Sequence, residues 1–174
     1  MTTIITGNIL SGKSTLARYL SRHGYVPAVM HTTRPMRERE RDGVDYRVIG
    51  DGEFDKMEAE GRFLTVLHAQ TVYGIWKYGL SSDSLTEDSV IAIGSESGQI
   101  LDSGRRVLFV LLDISEEDAM KRAIRRGDDA EEVIRRFRKD QPVFDALKGR
   151  ADLVLDATAA VGLNAAAIME SVHT

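Results

Sequence analysis

The sequence predicts a three-layer α/β/α fold around a parallel sheet, and three observations carry that expectation. Apolar runs at 90–93 and 107–112 are continuous rather than alternating, as in strands covered on both faces. Helical patterns separate these runs, so strands and helices alternate along the chain. The stretch from about 31 to 80 breaks that alternation and reads as an inserted, small, mostly antiparallel lobe.

Residues 2–6 read as a buried strand. Residues 14–23 read as a helix with Leu16, Ala17 and Leu20 on one face and Gly24 as its stop. A second apolar run covers 26–30, a densely charged segment follows, and 46–49 reads as a strand. Asp51 is placed to cap a helix over 52–60, with Phe54 and Met57 facing inward and Gly61 ending it. Runs at 62–68 and 72–79 predict two strands joined by a tight connection, and 81–86 the start of a short helix. Ser115 followed by Glu116 and Glu117 marks a helix start. That helix runs to about Arg126, where Gly127-Asp128-Asp129 interrupts it, and a further helix covers 130–147. A short strand at 153–155 and a helix over 158–172 complete the pattern.

The length of 174 residues suits one domain: a core of 1–30 and 87–174 with a lobe of about 31–86. The net charge of −4 gives nothing that favours nucleic acid or an anionic membrane as partner. With no cysteine there is no disulfide, thiolate metal site or cysteine nucleophile. The first residues lack the basic, apolar, small-residue order of a signal peptide, and no apolar stretch is long enough to span a bilayer. The expectation is a soluble cytoplasmic protein, monomer or homodimer.

The first strand leads into GNILSGKSTL at 7–16, which has the P-loop spacing G-x-x-x-x-G-K-S between strand and helix. Gly7 and Gly12 let the backbone turn tightly, so that several N–H groups point into one hollow at a helix N-terminus. Unpaired amides and the helix dipole both favour an anion there. Lys13 adds a mobile positive charge for β/γ-phosphates, and the Ser14 hydroxyl can ligate Mg²⁺. The candidate phosphate-binding set is Gly7, Ser11, Gly12, Lys13, Ser14 and Thr15, with ATP as phosphoryl donor.

A second anion site is expected in HTTRPMRERERDGVDY. Arg34 and Arg37 can grip one phosphate with forked hydrogen bonds, Tyr46 can complete the grip without adding charge, and Glu40 can hold an arginine fork in place. By base rate a charged run is a solvated loop, but beside a P-loop a kinase needs a second anion site facing the first.

T-T-R-P-x-R-x-x-E-x-x-G-x-D-Y resembles the signature of the guanylate kinase family, which are P-loop kinases of nucleoside monophosphates (NMPs). KYGLSSDSL at 77–85 looks like that family's Y-G-T-S segment, and KRAIRRGDDAEEVIRRF at 121–137 looks like its lid. The resemblance covers nearly the whole chain. It implies an NMP-binding lobe, a helical lid at about 120–140, and a monophosphate held by Arg34, Arg37, Tyr46 and Tyr78. Tyr73 in VYG is the rival for the Tyr78 role; Tyr78 is preferred because its Tyr-Gly leads into a helix start. The resemblance also implies catalytic roles for Lys13 and Arg34, and for Arg122, Arg126 and Arg136 from the lid, with Arg135 one step from the last of these. Phosphoryl transfer then rests on positioning and positive charge.

The departures from the family fall on the base pocket. Met30 stands where the family has a guanine-reading serine, Thr65 where it has a glutamate, and Leu80 where it has a hydroxyl. The acidic D-x-D becomes Ile93-Gly94-Ser95, with Glu96 nearby. A pocket without that carboxylate leaves guanine donors unpaired, which discriminates strongly. The expectation is an acceptor with a different or modified base, contacted by Met30, Thr65, His68, Leu80 and Ser95, with Gln70 and Glu96 as further candidates. Asp113, at the end of VLFVLLD, is either a Mg²⁺ ligand or the start of the turn before Ser115. Competing classes are a P-loop kinase of a sugar phosphate, a catalytically inactive protein-binding domain and a GTPase. An intact clamp speaks against the first. Lys13, Ser14, Arg122 and Arg126 speak against the second, and the missing N-K-x-D element speaks against the third.

Overall fold

The computed structural model describes residues 1–172. Strands β1 (Thr3–Gly7), β2 (Val26–Pro27), β7 (Ser89–Ala92), β8 (Leu108–Asp113) and β9 (Leu153–Asp156) form one parallel sheet in the order β2-β7-β1-β8-β9. Strands β3 (Met30–Thr32), β4 (Tyr46–Val48), β5 (Phe63–Thr71) and β6 (Gly74–Ser81) form a second sheet in the order β4-β3-β6-β5. It is antiparallel except for the β3–β4 pair. The helices are α1 (Lys13–Ser21), α2 (Asp51–Ala59), α3 (Gly98–Asp102), α4 (Glu116–Arg126), α5 (Ala130–Lys148) and α6 (Val161–Val172).

The period-two geometry of β1 sends Ile4 and Ile5 to opposite faces, and each face is covered. Ile5 packs with Leu16, Leu20, Val110, Ala165 and Ile168 against α1 and α6. Ile4 packs with Ile91, Phe109, Ile100, Phe144 and Leu147 against α3 and α5. Burial on both sides is why β7 and β8 read as continuous apolar runs.

The α4–α5 hairpin follows its local chemistry closely. The Ser115 hydroxyl accepts from the Asp118 N–H, Gly127 ends α4 in the left-handed region at φ 76°, and the Asp129 carboxylate accepts from the Glu132 N–H to start α5.

Four expectations are corrected. The apolar run at 26–30 is two strands in different sheets, because such a run reports burial and not sheet membership: Val26 and Pro27 edge the core while Met30 opens the lobe. Asp51 lies inside α2 rather than capping it; Gly50 occupies the cap, and Asp51 instead pairs with Lys77 at 3.2 Å. The expected short helix at 81–86 is a single 3-10 turn, Ser82–Ser84. Helix α3, preceded by a 3-10 turn at Ser95–Ser97, is absent from the sequence reading because Ser-Glu-Ser-Gly carries no helical periodicity.

Candidate functional site

The loop between β1 and α1 is shaped by two glycines. Gly7 has φ 150°, and a Cβ there would lie 2.5 Å from the Leu112 carbonyl oxygen, so no larger residue fits. Gly12 caps α1 with φ 89°, and leaves the first-turn amides without a side-chain acceptor. Leu10 also adopts a left-handed φ of 64°, a strain of the kind stored at functional loops. The Lys13 ammonium folds back over the loop and donates to the carbonyls of Gly7 (2.7 Å) and Asn8 (3.0 Å). Burial lowers its pKa to about 8; Glu96 and Asp140 oppose the shift and Arg136 adds to it. Ser14 and Thr15 are exposed at the helix start, while the buried Ser11 hydroxyl has no partner in the structure.

Asn8, to which motif reading gives no role, braces the loop. Its side-chain oxygen accepts from the Ile9 N–H at 2.7 Å. Its amide donates to the Phe137 carbonyl (3.0 Å) and to Gln141 Oε1 (2.8 Å). The phosphate loop is thereby tied to α5.

In the lobe, Arg34 is 3% exposed and its guanidinium makes a forked bond to Glu40, at 2.7 and 2.9 Å. Glu40 also accepts from the Arg37 N–H at 2.9 Å, and the Arg34 bond holds its carboxyl below the ordinary range. The Arg34 guanidinium lies 5.2 Å from the centre of the Tyr46 ring, and Tyr46 meets Tyr78 edge-on at 6.0 Å. Burial raises the Tyr46 pKa, which keeps its hydroxyl a donor at neutral pH. Arg37 is exposed. Tyr73 sits at the β5–β6 hairpin tip, 80% exposed and stacked on Trp76, away from this cluster. Of the two tyrosines, the geometry brings only Tyr78 to the clamp.

The three lid arginines divide. Arg122 lies over the phosphate loop, donating to the carbonyls of Leu10 (2.8 Å) and Ala157 (2.5 Å). Arg136 is close enough to depress Lys13, whereas Arg135 is held in an exposed pair with Glu132 at 2.7 Å. Arg126 points into solvent, 66% exposed, 3.5 Å from Asp128. Asp113 is paired with Lys148 of α5. Among the described residues no group of three or more His, Cys, Asp or Glu is placed to hold a metal.

The expected base contacts are corrected in part. His68 registers opposite Lys77 and bonds Glu58 of α2 at 3.1 Å, whereas Tyr78 and Leu80 project from the other face of β6. Strand alternation therefore turns His68 and Gln70 away from the clamp. Met30 and Leu80 do not line open space for a base. Met30, Leu80 and Ile93 share one buried apolar cluster, with Leu80 wholly inaccessible. Thr65, opposite Leu80, is buried with its hydroxyl unpartnered. Ser95 is half-buried at the turn after β7.

A glycine-hinged loop between a parallel-sheet strand and a helix, together with a separate lobe holding a buried arginine–tyrosine cluster, defines the P-loop class of α/β proteins. Within that class the chain belongs to the guanylate kinase family, whose model, described as guanylate kinase, matches residues 1–141. It is similar to the guanylate kinase of Polaromonas sp. (strain JS666 / ATCC BAA-500), 34% identical over 134 residues covering 71% of this chain and 63% of that protein. The guanylate kinase of Tropheryma whipplei (strain Twist) is 33% identical over 144 residues, covering 76% of this chain and 72% of its own. The chain thus spans less than two thirds of the first relative's length, 63%, and 72% of the second's. The fold resembles the crystal structure of guanylate kinase from Anaplasma phagocytophilum, with TM-score 0.70 and 19% identity over 99% of this chain and 84% of that one. Shikimate kinase from Aquifex aeolicus shares the fold at TM-score 0.55 and 20% identity, over 99% of this chain and 96% of that one.

Proposed function

We propose that this chain transfers the γ-phosphoryl group of ATP to the phosphate of a nucleoside monophosphate, and that the preferred base is not guanine. The observation that supports the first part is the pair of facing anion sites: the Gly7–Thr15 loop with Lys13, and the Arg34–Glu40–Tyr46–Tyr78 cluster. The relatives are named guanylate kinases, so GMP and dGMP are the reference acceptors. The second part rests on the pocket, where positions 65, 93 and 95 carry no carboxylate and positions 30, 80 and 93 carry apolar side chains packed together.

In this reading Gly7, Ser11, Gly12, Ser14 and Thr15 cradle the donor phosphates. Lys13 exchanges its two loop carbonyls for phosphate oxygens, and Arg122 and Arg136 stabilise the transferring group. Arg34, Arg37, Tyr46 and Tyr78 hold the acceptor phosphate, with Glu40 fixing the Arg34 fork. Mg²⁺ would be held by the Ser14 hydroxyl together with phosphate oxygens and water, which suits the ion's preference for few protein ligands, and it would neutralise phosphate charge. The α4–α5 lid closes over both nucleotides and brings Arg126 in from solvent, excluding water. A bisubstrate analogue should then protect the stretch around 120–140 from protease; identical cleavage with and without it refutes closure. The protein acts in the cytoplasm on small nucleotides, as monomer or homodimer.

A coupled ADP-release screen over the common and several modified NMPs and dNMPs tests the acceptor. Loss of a carboxylate that pairs with two guanine donors costs about 2–4 kcal/mol, or roughly 30- to 1000-fold in kcat/KM. Another base should therefore exceed both GMP and dGMP. A clear preference for either guanine nucleotide overturns the pocket reading and leaves the kinase reading intact.

Lys13 also ties donor binding to pH. Its unliganded pKa of about 8 is depressed by burial, and phosphate oxygens would raise it. ATP affinity should hold steady below that value and fall as the pH rises through it, because the complex then keeps a proton that the free protein has lost. Calorimetric titration near pH 9, in buffers of different ionisation enthalpy, should read uptake of roughly one proton per ATP. No uptake there places Lys13 away from the phosphates.

A further inference from the structure

The turn at Ser95–Ser97 sits where the three working parts of the molecule meet. It packs against core strand β1, lobe strand β5 and helix α5. It is pinned on the core side by Thr6, whose hydroxyl donates to the Gly94 carbonyl at 3.1 Å and accepts from Ser97 Oγ at 2.9 Å. On the lobe side, Gln99 of α3 exchanges two bonds with the backbone of Val66, at 2.8 and 3.0 Å. So the turn is held rigidly between the phosphate loop and the strand that carries Thr65.

Glu96 is the middle residue of that turn. It is only 9% exposed, and its Oε2 has no hydrogen-bond partner in the structure. A Cβ on Gly94 would lie 2.9 Å from Oε2, so the side chain curls back over a position where only glycine leaves it room. Its charge is felt by Lys13 of the phosphate loop and by Tyr46 of the lobe cluster, so it lies within electrostatic reach of both. Burial raises its pKa, opposed by the Gly94 and Glu96 backbone N–H groups and by Lys13. A buried carboxylate oxygen left without a hydrogen-bond partner is a standing cost to the fold. Of the polar groups at this junction, Thr6, Ser97 and the exposed Gln99–Val66 pair are bonded; the buried Glu96 Oε2 and the Thr65 hydroxyl are left without a partner.

We propose that Glu96 is the specificity-determining carboxylate of this chain: it accepts a hydrogen bond from an N–H or O–H donor of the acceptor nucleotide, beyond the phosphate held by Arg34. The proposal rests on the kinase reading above and deepens it. The position lies one residue past Ile93-Gly94-Ser95, where the resemblance implies an acidic pair, so Glu96 would bring a carboxylate to the acceptor site from a different backbone position. The acceptors it suits carry a free sugar hydroxyl facing the turn, or a base-edge donor placed differently from guanine's ring N–H and amino group. Nucleotides with only acceptors there should be turned away, because the carboxylate stays unpaired.

The test compares wild type with Glu96→Gln, which keeps the shape and removes the charge. Two readouts are needed: thermal stability of the unliganded protein, and kcat and KM for ATP and for each nucleotide of the acceptor panel. Glu96→Gln should keep or raise the melting temperature. It should raise KM for the preferred acceptor and lower kcat/KM by about 10- to 100-fold, the scale of one lost charge-assisted hydrogen bond. It should also change the rank order of acceptors and leave KM for ATP within about twofold. Glu96→Asp, with the charge retained on a shorter arm, should rescue the rank order in part. If wild type phosphorylates an NMP and Glu96→Gln has the same acceptor KM and rank order, the proposal is overturned and the kinase reading stands. A drop in melting temperature with unchanged acceptor kinetics overturns it in the same way, by showing a structural carboxylate. If wild type turns over no nucleotide in the panel, both readings fall together.

Discussion

Replacing Lys13 with alanine is expected to lower kcat for phosphoryl transfer by about 10²-fold or more, with the fold unchanged. The ammonium lies in the loop that carries the donor phosphates, and in the unliganded protein it is satisfied only by the carbonyls of Gly7 and Asn8. Charge developing on the transferred group meets a desolvated cation there, where electrostatics are stronger than in water. Burial already penalises the charged form, so truncation removes a cost as well as two hydrogen bonds. The melting temperature should therefore move little while turnover collapses. Steady-state kinetics beside a thermal melt decide it: near-normal turnover in the variant removes the central claim, and a melted variant would assign Lys13 to the fold.

The second large effect falls on Arg34, and it should differ in kind from that of its neighbour Arg37. Arg34→Ala strips a buried guanidinium from Glu40, which then keeps only the Arg37 N–H as partner. Breaking such a pair leaves a poorly compensated carboxylate and should cost about 2–4 kcal/mol of stability. The acceptor KM should rise and kcat fall as well, with ATP affinity little changed. Arg37→Ala, at an exposed position, should weaken acceptor binding with no comparable loss of stability. The pair also has a pH signature. Arg34 holds the Glu40 carboxyl below its unfolded-state value, so its contribution is complete above that value and is lost as the pH falls through the depressed one. Wild type should lose more stability in that acidic window than Arg34→Ala does, the difference reporting the Arg34–Glu40 pair. If Arg34→Ala weakens ATP alone, the lobe is assigned wrongly.

Local chemistry was legible wherever one residue type has one physical reason to be at its position. Gly7 and Gly12 announce a loop that only glycine can make. Ser115, Gly127 and Asp129 mark the ends of α4 and α5, because caps are satisfied within four residues. Arg34, Glu40 and Tyr46 are near in sequence and near in space. Legibility failed where the deciding contact is distant. The sequence prefers Tyr78 over Tyr73 for a helix start that is only a 3-10 turn; the deciding reason is hairpin register, which sends Tyr73 to the tip and Tyr78 beside Tyr46. His68 is a plausible reader by spacing, yet the strand's alternation commits it to α2.

The order of strands and helices, the phosphate loop and the arginine-rich clamp follow from short-range rules: periodicity, capping and the conformational freedom of glycine. Those rules act within a few residues, so one chain read in order suffices to find them. Which tyrosine joins the clamp depends on contacts between residues far apart in sequence. So do the direction of Arg136 toward Lys13, the burial of Leu80 with Met30 and Ile93, and the Asn8 tie to α5. Glu96 makes the same point. In sequence it is one more acidic residue in a polar turn, and it becomes an unpartnered carboxylate only when β1, β5 and α5 close around it and exclude water. Burial of that kind depends on packing across the whole fold, which no local pattern encodes.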